Sequence, residues 1–433
     1  MAKPSHDAER PGPAKPARGQ AWRALASPAY RRYFFGQLLS LVGTWIQQVA
    51  LGWLVYRLTD STVLLGAVAF LSNAPQLLVA PFAGIVIDRS DRKRLMLQIQ
   101  TLMLAQAIFL AVFTYFGWLE PWLILVAAGV LGVLNSFDAP LRHSLAGQLV
   151  ARRDDIPNAI ALNTLTFNVA RFVGPPTAGL LLAATSAAVC FAVNGLSFLA
   201  LILALRRIDS PSSRPSPASF RSALREGLAY VRGSVPVRML LIQVALVNFF
   251  AASYLPMMPA FARDVFQGGP NTLGVLLGSA GAGALVASVY LMSRPSVRGL
   301  TGSILHASVL AGTALIGFAL TAELWLALVQ LFLLGFSMIV CNASSNTILQ
   351  TILPEGLRGR VLALYTAANL GAAAVGGLAV GWVADAMGPD AALLSAGLLL
   401  VAVGVRFSLR LEFMRVHLRP LYAAQGVAPR TID

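Results

Sequence analysis

Arg171 stands alone in an apolar run, TLTFNVARFVGPPTAGLLLAA, with no Asp or Glu near it along the chain. A guanidinium in such a setting either donates hydrogen bonds to neutral acceptors or holds an anion, because charge inside hydrocarbon is costly and marks function by default. Asp138 and Arg142 are spaced i, i+4, so the carboxylate can form a plain salt bridge or load and release a proton. Asn135 shares a face with Asp138, and Asn342 shares one with Asn346. Gln48, Asn73, Gln76, Asn248 and Tyr254 add neutral hydrogen-bonding groups to other apolar runs. Each of these is a candidate contact for a polar ligand, or else glue between helices. The chain has no phosphate-cradling G-x-x-x-x-G-K-[ST], no H-E-x-x-H and no Cys/His metal spacing; Cys190 and Cys341 lie in apolar runs. No cofactor, no metal and no enzymatic centre are expected.

The elements that must position these residues follow from composition. Of 433 residues, 57% are hydrophobic and 12% charged, with mean hydropathy +0.70. A soluble protein has about 45–50% apolar and about 25% charged residues. A soluble enzyme, a disordered chain and a disulfide scaffold are excluded. Twelve apolar stretches are each long enough to cross about 30 Å of hydrocarbon as a helix. They are 33–57, 61–87, 95–117, 119–140, 158–185, 187–206, 237–262, 271–293, 301–320, 323–346, 360–385 and 390–411. Runs such as AALLSAGLLLVAVGV do not alternate as barrel strands would. The expected fold class is an all-α membrane protein with twelve transmembrane helices.

An even number of spans puts both termini on one side. With that side assigned to the cytoplasm, 30 of 33 Lys and Arg fall there; Arg57 and Arg263 face outward, and Arg171 is within span 5. This asymmetry fixes orientation with both termini cytoplasmic and accounts for the net charge of +15 through topology and anionic lipid, without nucleic acid. The expected division is a disordered tail at 1–27, a six-helix bundle at 28–206, a cytoplasmic linker at 207–235, a second bundle at 236–415 and a tail at 416–433. Within the linker, Phe220–Val231 has the pattern of an amphipathic helix on the membrane surface.

The two halves repeat. At an offset of 202 residues, QLVARRDDIPNAIAL from Gln148 aligns with QTILPEGLRGRVLAL from Gln350 without a gap, and Gly174, Gly179 and Gly195 meet Gly376, Gly381 and Gly397. A repeated six-span half is what two bundles rocking about a central site require.

The loop after span 2 reads Gly84-Ile85-Val86-Ile87-Asp88-Arg89-Ser90-Asp91-Arg92-Lys93-Arg94, and span 5 carries Gly174-Pro175-Pro176-Thr177-Ala178-Gly179. The first resembles the loop signature G-x-x-x-D-R-x-G-R-K of the major facilitator superfamily, with Asp91 in place of its Gly. The second resembles that family's antiporter motif, and the segment 140–182 is similar to the drug and siderophore exporter branch. The resemblance implies two pseudo-symmetric six-helix bundles with spans 1, 4, 7 and 10 lining a central cavity. It also implies gating residues: Asp88 and Arg92 in a latch that meets the start of span 11 at Gly359-Arg360, and Gly174-Pro175 as a hinge. The expected function is secondary export of amphipathic small molecules by alternating access at an inner membrane, by a monomer, with proton exchange at Asp138 as the coupling. Transport of a lipid or metabolite on the same fold, or a channel, are the alternatives.

Arg171 lies about 20 Å from the inner end of span 5 at 1.5 Å per residue. Gln47 and Gln48 of span 1 are at similar depth, and Asn168 is one turn away. These, or backbone carbonyls freed near Pro175, are its expected neutral partners if its role is structural; an anionic group of the substrate is the other reading.

Overall fold

The computed structural model describes residues 20–150, 152–208, 220–294, 297 and 299–425, apart from the side chains of residues 20, 21, 80, 81, 85, 88, 153 and 220–224. The outer parts of both expected tails, 1–19 and 426–433, and the Ser/Pro part of the linker, 209–219, lie outside the described residues, as does the Asp88 side chain.

Fifteen α-helices follow one another among the described residues. The first six are α1 (Pro28–Thr59), α2 (Thr62–Arg89), α3 (Arg92–Tyr115), α4 (Pro121–Gln148), α5 (Ile156–Ala184) and α6 (Ala187–Arg206). Next come α7 (Phe220–Gly233), α8 (Val235–Ala251), α9 (Tyr254–Ala260), α10 (Pro270–Met292), α11 (Leu300–Leu320) and α12 (Leu324–Ile352). The last are α13 (Glu355–Met387), α14 (Pro389–Leu409) and α15 (Leu411–Ala424). Eleven segments are long and apolar enough to cross a membrane; α8, α9 and the π-turn Phe261–Val265 count as one of them. The span not among them is α5, whose Asn163, Asn168, Arg171 and three prolines lower its hydropathy.

Local sequence sets the ends of these helices. Proline, which lacks only a donor that is free anyway, stands in the first turn of α1, α4, α5, α8, α10 and α14. Ser61 caps α2 by accepting from Leu64 N at 3.3 Å, and Asp91 caps α3 by accepting from Arg94 N at 2.8 Å. Asp91, where the family signature has Gly, therefore has a local structural use. Gly388 turns the chain between α13 and α14 at φ 89°, a value that L side chains rarely adopt.

Four features differ from the sequence reading. Span 4 does not stop at residue 140: α4 runs through Pro140 to Gln148, because one proline bends a helix packed on its neighbours without ending it. Span 7 is broken at Ala252–Ser253 into α8 and α9, where Pro256 removes the donor that would have bonded to the Ala252 carbonyl across the break. Residues 20–26, placed in the tail, form a 3-10 helix held by Arg23–Asp155 (2.8 Å), Ala24 N to Asn158 Oδ1 (2.9 Å) and Ser27 Oγ to the Leu149 carbonyl (2.7 Å). Past span 12 an amphipathic helix, α15, seats Met414, Leu418 and Tyr422 on the second bundle.

Two seams of small residues join the bundles. In one, α5 meets α10: a Cβ on Gly179 would sit 3.0 Å from Gly274 Cα, and one on Gly281 2.9 Å from Phe172 Cα. In the other, α2 meets α13: a Cβ on Gly66 would sit 3.3 Å from Gly381 Cα, and Thr62 Oγ1 donates to the Gly381 carbonyl at 3.0 Å. Gly179 and Gly381 are partners in the 202-residue repeat, so the seams are copies of one contact. With no hydrophobic force between helices in lipid, close backbone approach at small residues supplies the attraction.

Both described chain ends lie at one end of the bundle, here the terminal end. At the far end, Arg263 pairs with Asp60 at 2.5 Å and lies over the Tyr56 ring at 4.5 Å, while the Tyr56 hydroxyl donates to Asp264. Asp60 follows α1, and Asp264 follows α9, so these bonds tie bundle to bundle. Among the described residues, hydrogen bonds and seam contacts between the bundles run from about mid-depth to this far end. The structure is closed at the far end, with the bundles parting toward the terminal end.

Candidate substrate path and coupling site

Arg171 sits near the middle of α5, half-buried, close enough to Tyr254 for its charge to act on the phenol. Tyr254 begins α9, directly after the break in span 7, so this contact crosses from one bundle to the other at mid-depth. Both residues are sequence candidates, but nothing in their spacing pairs them. The expected partners of Arg171 are engaged elsewhere. Gln47 donates to Gln106 Oε1 at 3.0 Å and accepts from Asn194 at 2.8 Å, inside the first bundle; Asn168 donates to Ser288 Oγ at 3.3 Å. The reason is rotational: on α1, residue 47 points toward α3 and α6, away from α5.

Gln48 is exposed. It lies one turn toward the terminal end from Gly52, whose open side meets Pro259 of α9, so Gln48 opens onto the space between the bundles. Asn73 is half-buried on α2 and returns its amide to its own helix, donating to the Ala69 carbonyl at 2.8 Å. Asn135 on α4 is half-buried.

In the second bundle, three helices meet at Asn342. Asn248 of α8 donates to Asn342 Oδ1 at 2.9 Å, Asn369 of α13 donates to the same oxygen at 3.2 Å, and the Tyr365 hydroxyl donates to the Asn342 carbonyl at 2.7 Å. Tyr365 and Asn369 are missing from the sequence candidates, although their i, i+4 spacing carried the same signal as Asn342 and Asn346. Asn346 stays out of the cluster, half-buried, and accepts from Gln350 at 2.5 Å on its own helix.

Asp138 is 3% exposed and pairs with Arg142, 9% exposed. Gln100 of α3 donates to Asp138 Oδ1 at 2.7 Å. The Tyr33 hydroxyl donates to the Arg142 carbonyl at 3.4 Å. With its amide oxygen turned toward Arg142, Gln37 accepts from Nε at 2.9 Å and Nη1 at 2.8 Å. Gln37, Gln100 and Tyr33 escaped the sequence reading because they come from α1 and α3, far away along the chain.

The gating candidates are dispersed in this conformation. Gly174 is buried where a Cβ would lie 2.4 Å from the Trp45 Cβ, and Pro175 follows inside a continuous α5; close approach of α1 is what glycine allows there. Arg92 is half-buried at the start of α3. Arg360 pairs with Glu226 of α7, and Gly227 packs over it. One expectation needs correction: span 11 does not start at Gly359-Arg360. Its helix α13 starts at Glu355, so Gly359 and Arg360 already sit past its first turn; Leu357 N already donates to the Pro354 carbonyl at 3.0 Å, and the first-turn donors left for a carboxylate are those of Glu355 and Gly356.

The sequence profile of the transmembrane secretion effector family matches residues 19–425. Over 337 residues the chain is 26% identical to the staphyloferrin A transporter of Staphylococcus aureus, covering 77% of this chain and 84% of that one. Over 397 residues it is 25% identical to the enterobactin exporter EntS of Escherichia coli, covering 90% of this chain and 94% of that one. Among solved structures it resembles the nucleoside transporter NupG, with TM-score 0.67, 14% identity and coverage of 89% and 99% of the two chains. It also resembles the human organic anion transporter MFSD10, with TM-score 0.64, 16% identity and coverage of 91% and 100%. These two likenesses show the fold. The profile match spans nearly the whole chain and every helix described above, and the protein belongs to the transmembrane secretion effector family of major facilitator transporters.

Proposed function

We propose that this multi-pass membrane protein is a monomeric exporter of siderophore-like amphipathic small molecules, working by alternating access in exchange for protons. The observation that carries the reading is the Arg171–Tyr254 contact. It joins the two bundles at mid-depth through a cation and a phenol, and the exposed Gln48 and the Asn248–Asn342–Asn369 cluster add neutral polar groups on α1, α8, α12 and α13. A ligand with an acidic group and aromatic or amide edges can replace Tyr254 as the partner of Arg171, and the bundles then close on it. The names of the relatives, transporters of staphyloferrin A and enterobactin, support that class of cargo.

The charge asymmetry supports placing the terminal end, with both termini, on the cytoplasmic face of the inner membrane, so that the site opens to the cytoplasm in this conformation. Gln48, Asn73, Asn135, Arg171, Asn248, Tyr254, Asn342 and Asn346 are the substrate-contact set, and Asp88, Arg92, Gly174, Pro175 and Arg360 the gating set. The test is transport in proteoliposomes with an imposed pH gradient, using iron-free enterobactin and staphyloferrin A beside a cationic dye. Saturable uphill movement of either siderophore is the expected result; transport of the dye alone would replace the cargo reading.

A gate prediction follows from the position of α13. On closure of the cytoplasmic side, the Asp88 carboxylate meets the first-turn donors of Glu355 and Gly356, a charge-dipole contact of about 0.3–1 kcal/mol. Asp88→Asn is expected to slow turnover several-fold with ligand affinity unchanged, read by pre-steady-state transport beside equilibrium binding. Equal kinetics in the two proteins would remove Asp88 from the gate.

A further inference from the structure

The Asp138 cluster has a counterpart in the other half of the molecule. In the first bundle the junction of α1, α3 and α4 holds Gln37, Gln100 and the one-turn pair Asp138–Arg142. The repeat places α8, α11 and α12 in the same roles, and their junction holds Gln243, Ser308 and the one-turn pair Cys341–Ser345. Gln243 Nε2 donates to Ser308 Oγ at 2.9 Å, and Ser308 Oγ lies 3.8 Å from Cys341 Sγ, while Ser345 Oγ is buried without a hydrogen-bond partner among the described residues. All four are buried and none is charged. The same three-helix junction therefore closes without any ion, and the fold alone does not require one.

A buried ion pair is weak evidence for stability, since neutral or apolar replacements of the whole pair are often tolerated, whereas losing one partner is severe. Its presence in one half only calls for another reason. The geometry supplies it. Gln100 donates to Asp138, yet its own Oε1 is buried with no donor. An acceptor left unmade beside a carboxylate is costly in this state and becomes satisfied in another. If Asp138 takes a proton, rotation of the Gln100 amide by half a turn lets Oε1 accept the new Asp138 O–H.

We infer that Asp138 is the proton carrier of this transporter, with Arg142 as its internal counter-ion and Gln37 and Gln100 as positioning residues that hold the two protonation states in turn. This rests on the proton-exchange reading above. One proton adds to one carboxylate oxygen; the ion pair with Arg142 dissolves; the guanidinium keeps the Gln37 oxygen. Proton and ion pair exclude each other, so loading the proton frees Arg142 from its one-turn partner on α4 while the α1–α4 bridge through Gln37 stays made. Among the described residues, the titratable and charged groups facing the cluster are Tyr33 and Tyr30 of α1 and Arg142 and His143 of α4; α3 contributes the neutral Gln100, and α5 reaches His143 through Asn163 at 3.4 Å. From α2, Ile87 packs into the same core and Arg89 is exposed.

The test grafts the neutral junction into the first half: Asp138→Cys with Arg142→Ser, in the full chain, reconstituted in proteoliposomes loaded with a pH-sensitive dye. Probes are iron-free enterobactin and staphyloferrin A. The graft is expected to fold and to keep counterflow, while uphill accumulation driven by a pH gradient falls to the level of equilibration and substrate-induced proton movement disappears. Retained uphill transport by the graft overturns the proposal. Absence of any transport by the unaltered protein defeats the export reading instead, which keeps the two failures separate. If the graft does not fold, Gln100→Met decides. It leaves both charges and removes the amide, and because the bond to the charged form is the stronger, the pH midpoint of uphill transport moves up by about one unit with counterflow retained. An unmoved midpoint overturns the proposal.

Discussion

Arg171→Ala is expected to abolish uphill export and to weaken siderophore binding by roughly 10- to 100-fold, the equivalent of losing a charge-assisted hydrogen bond of about 1.5–3 kcal/mol. The expectation follows from depth and company. Arg171 lies at mid-membrane, half-buried, and its described partner is a neutral phenol on the other bundle. A guanidinium there is partly desolvated, so an incoming anionic group gains more electrostatic attraction than it would at the protein surface. Arg171→Lys retains charge but loses the planar fork and is expected to fall between the two. Tyr254→Phe separates a binding role from a structural one. It frees Arg171 from its internal competitor, so affinity is unchanged or higher, while closure of the bundles on ligand is slower. Were Arg171 only a tie between bundles, both variants would lower thermal stability alike and leave binding untouched. Binding by scintillation proximity and melting by intrinsic fluorescence, on the same preparations, tell these apart.

Gly179→Leu is the second large effect. A Cβ at this position would already lie 2.6 Å from the Pro270 carbonyl oxygen and 3.0 Å from Gly274 Cα, and those neighbours are backbone, which cannot rotate away. Overpacking of this kind costs about 1–3 kcal/mol, and it falls on the state closed at the far end, where α5 and α10 touch. The state open there is relieved. The expected shift toward it is therefore about 5- to 150-fold, read as a lengthened distance between spin labels at the far ends of α5 and α10, with export slowed accordingly. Gly381→Leu in the α2/α13 seam, the repeat partner, is expected to act in the same direction. An unchanged distance distribution in a folded variant would mean that the seam does not part during transport. A melted protein would show instead that the seam is needed for assembly, which the milder Gly179→Ala would then report as a smaller distance shift.

Much of this architecture was legible in the residues. Long apolar runs with prolines at their starts fix where helices form, because a backbone in lipid must bond to itself. The 202-residue repeat reads directly as two bundles, and one of the glycine pairs it aligns, Gly179 and Gly381, supplies one residue to each of the two seams. The i, i+4 pairing of Asp138 with Arg142 is local, so spacing alone revealed it. What spacing could not give is the third dimension. Gln37 and Gln100 join Asp138 and Arg142 only once α1, α3 and α4 pack. Gln47 and Gln48 differ by one step along the chain, about 100° of helical rotation, and that rotation sends one into the first bundle and opens the other to the space between bundles. Tyr254 meets Arg171 because span 7 breaks just before it. The sequence by itself determined the solvent, the number of crossings and the duplication, since each follows from hydropathy and periodicity along one dimension. The tertiary structure decided which polar groups are partners, because hydrogen bonds act over about 3 Å and the groups that share one here come from helices tens to hundreds of residues apart.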